Sequence, residues 1–189
     1  MESHSQDPFT EGLSYEDALP LRWRPVDGPL SGEDFLRLNR DNETVLKVVM
    51  VLGESRPEPA DDPNLSSELG RLDFKLNVLL DLVGHLVIRE QPLPAPAGLR
   101  LSARGLEWVA ESPPAPGARL LVSLYLHPPY PRPVDLPARV LSVEPAVSGA
   151  RVRVRFEELS EAVAEGLERL IFRNHRRLIA QSRTPRSGD

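Results

Sequence analysis

Apolar positions follow two rhythms along this chain, and the change comes near residue 92. Between Leu65 and Leu86, leucine and valine recur at spacings of 4, 3, 4, 3, 4 and 3. In heptad terms Leu69, Leu76 and Val83 take a, while Leu65, Leu72, Leu79 and Leu86 take d. Asp62 can cap such a helix and Pro63 suits its first position. Pro92, Pro94 and Pro96 stop it. A helix over 63–90 would be roughly 40 Å long at 1.5 Å per residue. An earlier helix opens at Ser31, with Asp34 completing a capping box. It places Phe35, Leu38, Asn42, Val45, Val49 and Leu52 on one face and ends near Gly53. Ahead of it, residues 1–30 read as an extended segment, because the prolines of PLRWRPVDGPL restrict themselves and their predecessors.

Beyond residue 92 the period shortens to two. Five strands are expected: Leu99–Ser102, Leu106–Val109, Arg119–Leu126, Val134–Val143 and Arg151–Phe156. The last is the clearest, with Val152, Val154 and Phe156 on one face and three arginines on the other. Pro/Gly-rich turns between them (SPPAPG, HPPYPRP, PAVSG) indicate an antiparallel barrel or sandwich. A closing helix over 160–183 aligns Val163, Leu167, Leu170, Ile171 and Leu178.

Two readings compete for the leucine stripe: it packs on its own domain, or copies of the chain share it. Three features favour sharing. The 3.5-residue period holds through three heptads, where a globular helix drifts. Apolar residues spill past the seam to Leu80 and Val87 at e and Leu82 at g. The chain also offers one other long apolar helix as a cover. A seam widened at e and g suits more than two helices, so a homotetramer is favoured over a dimer. Gly70 and Gly84 fall at b, each costing about 1 kcal/mol of helix propensity relative to alanine.

Composition narrows the function classes. The 189 residues contain no cysteine, which excludes disulfides and thiolate sites. No run approaches the ~18 apolar residues of a membrane span, and the polar N-terminus lacks a secretory pattern, so a cytoplasmic location is expected. The opening HSQDPFT looks like a cloning remnant. Residues 1–68 hold 15 acids against 6 bases, and residues 100–189 hold 10 against 14. That mild basic bias could meet an anionic partner, but it is too small to argue for nucleic acid. Glycine-rich phosphate loops, GxSxG and HExxH are missing. His4, His85, His127 and His175 lie on separate elements, so no metal ligands and no catalytic residues are expected.

The residues Leu99-Arg100-Leu101-Ser102-Ala103-Arg104-Gly105-Leu106 resemble the strand motif of PilZ domains, small β-barrels that bind cyclic di-GMP. Gly117–Leu120, Ala138–Val140, Arg153–Phe156 and the helix carrying Phe172–Arg177 follow in matching order. With the heptad helix and Leu19–Trp23 added, the chain is similar to the atypical, tetrameric PilZ subgroup over most of 13–183. The resemblance implies an α+β fold: N-terminal long helices forming an oligomeric coiled coil (31–91), then a PilZ-type β-barrel with a C-terminal helix (92–183) and a disordered tail (184–189).

It also implies a regulatory or adaptor protein in cyclic di-GMP-linked signalling of pilus or motility, not an enzyme, with protein partners. No cofactor is expected; cyclic di-GMP is the ligand the family brings. Typical members pair an RxxxR loop with D/N-x-S-x-x-G. Here Ser102 and Gly105 match, Arg100 replaces the acid or amide, and RxxxR is absent upstream. The motif is therefore degenerate, and Arg100, Ser102, Arg104 and Gly105 are the candidate contacts for a non-standard mode. Gly105 is expected to allow a turn with positive φ. An enzyme with an unrecognised site is the remaining reading. The six arginines of 169–186 either complement their own helix dipole or form an anionic docking surface.

Overall fold

The structure is a computed structural model that describes residues 7–10, 12–53 and 63–183. The tail expected over 184–189 lies outside the described residues. In chain order the elements are β1 (Ser14–Pro25), α1 (Gly32–Leu52), α2 (Pro63–Glu90), β2 (Pro96–Ser102), β3 (Gly105–Ala110), β4 (Arg119–Leu124), β5 (Val134–Ala146), β6 (Gly149–Phe156) and α3 (Glu161–Arg183). The strands close an antiparallel barrel in the order β1-β2-β3-β6-β5-β4.

Alternation drives closure. Val152, Val154 and Phe156 of β6 turn inward beside Leu106 and Trp108 of β3, Leu120, Val122 and Leu124 of β4, and Leu136 and Val140 of β5. These side chains fill the interior, so a ligand would meet the barrel from outside. Arg151, Arg153 and Arg155 face outward, as period two requires.

Six strands form where the sequence suggested five. The sixth is β1, inside the segment expected to be merely extended. Its prolines hid it, yet they fall where a proline is tolerated. Residues Ser14–Pro20 pair with β2, and Leu21–Pro25 pair with β4. Pro20 stands opposite Pro96 at the point where β1 changes partner, so its missing N–H costs the ladder little. The barrel therefore draws on both sides of the helical region, and a cut at residue 92 would remove a wall.

The helical region of 31–91 also divides. Ser31 caps α1, accepting from the Asp34 N–H at 3.1 Å. Val45, Leu46 and Val49 of α1 are buried with Val163, Leu167, Leu170 and Ile171 of α3. Gly166 brings the two helices close, since a Cβ there would stand 3.0 Å from Leu46 Cδ1. Two buried asparagines fix α1 on the barrel. Asn42 Nδ2 donates to Asp135 O at 2.7 Å, and its Oδ1 accepts from Asp135 N at 2.8 Å. Asn39 Oδ1 accepts from Ser160 N at 2.7 Å at the start of α3. Arg173 of α3 closes the far end, its Nη1 donating to Met50 O at 2.8 Å. That arginine complements the C-terminus of α1, not of its own helix. Of the expected long N-terminal helices, α1 thus belongs to the barrel domain, and α2 alone stands apart.

Replacing Asn42 by alanine leaves a buried N–H and C=O of Asp135 without partners. Urea denaturation should show a loss of about 2–3 kcal/mol, and a loss below ~0.5 kcal/mol would mean the asparagine does not hold α1.

Candidate functional site

Two surfaces carry the candidate chemistry. The first is α2. No other helix or strand packs on it to any extent among the described residues. Its b-position residue Gly84 is buried, and a Cβ there would run into the carbonyl oxygen of Pro129 in the β4–β5 loop. At 100° per residue, b lies roughly 130° round the helix from the a/d seam. This close approach at Gly84 therefore aims the seam away from the barrel. Leu69, Leu72, Leu76, Leu79, Val83 and Leu86 are 43% to 61% exposed, with Leu80, Leu82 and Val87 exposed beside them. The side chain of Leu65 lies outside the described residues. Phe74 at f and Val78 at c are exposed as well, on the opposite side of the helix. The same loop carries His127, whose imidazole burial pushes below its ordinary value.

The second surface is the β2–β3 turn. Ser102 is buried, and its hydroxyl is spent on the turn: Oγ accepts from Gly105 N at 3.0 Å and Arg104 N at 3.2 Å, and donates to Gly105 O at 3.3 Å. Gly105 does not take the positive φ expected of it; positive values fall at other glycines, such as Gly117 and Gly149. A close approach requires glycine here. A Cβ would press on the carbonyl oxygen of Val154 and the ring of Pro8.

The candidate arginines diverge. Arg100 lies on the outer barrel wall, its Nε donating to Ser14 Oγ at 3.0 Å and its guanidinium 4.8 Å from the centre of the Phe9 ring. It lines an open concavity of about 450 Å³ with Glu16, Asp17, Glu107 and Arg151. Arg104 is exposed on the other side of the turn. It lines a groove of about 490 Å³ with Leu13, Glu168, Arg169 and Phe172. The turn thus holds the four candidates in one stretch without gathering them into one pocket.

Sequence reading missed Arg153, on the same wall as Arg100. Glu107 holds it, accepting from Nη2 at 2.7 Å and Nε at 3.0 Å, and that hydrogen bond raises its pKa. Its signal was the outward run of three arginines on β6, which entered the sequence reading as an outer face and as part of the resemblance, not as a candidate site. Tyr15 of β1 is buried under α3; burial pushes its hydroxyl up to about 12 despite the hydrogen bond with Asn174.

The model of the atypical PilZ domain, described as a cyclic di-GMP receptor, matches residues 46–184, from mid-α1 through α3. The chain belongs to the atypical PilZ family. A tetrameric PilZ protein from Xanthomonas campestris, self-assembled via an unusual helical bundle, is 27% identical in sequence, with a TM-score of 0.70 over 90% of this chain and 92% of that one. YcgR of Escherichia coli in complex with cyclic di-GMP is 20% identical, with a TM-score of 0.40 over 46% of this chain and 38% of that one. No curated protein matches. In PilZ terms, Ser102 and Gly105 occupy the motif's serine and glycine positions, and both serve the turn's geometry. The matched span leaves out β1, although β1 completes this PilZ barrel.

The two b-position glycines should respond oppositely to alanine. Gly70 has nothing within 4 Å of a built Cβ, so Gly70→Ala should raise stability by up to about 1 kcal/mol. Gly84→Ala should lower the melting temperature, because its methyl meets Pro129. Equal shifts of the same sign would contradict the docking.

Proposed function

We propose that this PilZ chain is a non-catalytic regulatory adaptor in cyclic di-GMP-linked signalling, and that it assembles as a homotetramer through the seam of α2. The observation that carries this reading is the unburied seam. A monomer in water rarely leaves a contiguous apolar surface of this size uncovered. A lone helix of this length with two interior glycines is marginal by itself, so a cover contributes to its existence as well as its solubility. The apolar residues at e and g support four helices over two, and the Xanthomonas relative gathers its subunits through a helical bundle. Docking at Gly84 would leave four barrels outside the bundle, displayed to protein partners. The cytoplasm, where cyclic di-GMP signals are read, is the location that suits this role.

Burying each leucine is worth about 1.5–3 kcal/mol. Combining Leu72→Gln, Leu76→Gln and Leu79→Gln should give a species of 21.0 kDa by size exclusion with light scattering, with far-UV circular dichroism losing the α2 contribution. An unchanged mass for the triple variant would overturn the proposal.

The family description favours a second reading: a receptor that binds cyclic di-GMP in a non-standard mode, with Arg100 and Arg104 contacting the ligand while Ser102 and Gly105 hold the turn. The degenerate motif, with Arg100 in place of the acid or amide, calls for such a mode. Calorimetric titration should then show saturable heat that Arg104→Ala removes. No heat at high micromolar ligand would set this reading aside.

A further inference from the structure

The dipole of α3 does not account for the arginines it carries. Arg173 is taken up by the C-terminus of α1. Arg169 and Arg176 lie about four and about two turns before the end of α3, whereas a helix dipole acts on charges within its last turn. Both are exposed, and no acid interrupts the sequence from Arg169 to Arg186. Arg169 makes only a long contact with Glu165, at 3.5 Å, and the Arg176 guanidinium lies 5.6 Å from the centre of the Phe172 ring. Phe172 is itself 52% exposed and lines the groove of about 490 Å³ between α3 and the β2–β3 turn. Leu13, 42% exposed, joins it there with Ala103 and the buried Ile171, so the middle of the groove is apolar. Arg104 stands on the turn side of this apolar strip and Arg169 on the helix side.

We propose that this groove docks an acidic, amphipathic helix of a partner protein. The partner's apolar stripe would lie on Phe172 and Leu13. Its carboxylates would reach Arg104 on one flank and Arg169 and Arg176 on the other. Cations on both flanks of an apolar floor are the complement of a leucine stripe edged with acids. A partner strand has no place to add, because the strands close into a barrel. A phosphate-rich polymer would meet the arginines but gain nothing from the leucine and phenylalanine between them. Glu168 also lines the groove and repels a partner's acids there, so it limits affinity and selects where those acids fall. The docking names the partner chemistry that the adaptor reading leaves open. It rests on that reading for there being a partner, and not on the tetramer.

The probe is a fluorescein-labelled helical peptide with leucines at alternating third and fourth positions and glutamates beside them. Fluorescence anisotropy should show the intact chain binding it at micromolar concentration. Phe172→Ser, and separately Arg176→Glu, should weaken binding several-fold, and Glu168→Gln should strengthen it. The same peptide with serines in place of its leucines should not bind. All three substitutions are at exposed positions, and circular dichroism melts show that the barrel is intact. Equal affinity in the chain and its variants, as capture on the α2 seam would give, overturns the docking. So does a leucine-free peptide that binds as well, or polyuridylate that binds where the peptide does not. Light scattering of the same samples reads assembly separately. A tetramer whose peptide binding ignores Phe172 and Arg176 ends the docking and leaves the assembly; a single-chain mass with binding that depends on them does the reverse.

Discussion

Apolar side chains along α2 need a cover, and the way the rest of the chain is built denies them one. The helix that could have supplied it, α1, spends Val45, Leu46 and Val49 on α3 and its two asparagines on β5 and the start of α3. Arg173 then closes the end of α1. At Gly84 α2 comes close to its own barrel, on the side of the helix away from the leucines. Each choice is local, made by a hydrogen bond, a cap or a missing Cβ. Together they leave a seam that another copy can fill.

Electrostatics organises the outer wall of the barrel. There Glu107 of β3 stands between Arg100 of β2 and Arg153 of β6 and pairs with both Arg151 and Arg153. Other arginines pair with acids beyond the strands. Arg153 is held by Glu107 and Arg119 by Glu157 and Glu158. Such partly exposed pairs contribute little stability each, but they fix where the guanidinium planes face. Arg100 and Arg153 thus share one outer wall, Arg100 held by Ser14 and Arg153 by Glu107. The exposed seam of α2 and this charged wall are separate surfaces of the chain.

Much of this was legible in the sequence because periodicity is local information. The 3.5-residue repeat located α2, and the alternation of 151–156 located β6 and its inward face. The strand β1 was not legible: its prolines read as turn signals, and only closure of the sheet shows that Pro20 sits where β1 changes partner. The role of α1 was missed for a related reason. Asn42 sits in an apolar stripe, and nothing local reveals that its amide completes the hydrogen bonds of Asp135, 93 residues away. At the candidate site, the motif drew attention to Ser102 and Gly105 without saying what they do. Their service to the turn and to Pro8, rather than to positive φ, depends on neighbours that no short motif contains.

Sedimentation equilibrium of the unaltered chain across micromolar concentrations, with no ligand added, tests assembly through the α2 seam most directly. A homotetramer predicts a mass four times the 21.0 kDa of one chain. A mass of a single chain, unchanged as concentration rises, would contradict it.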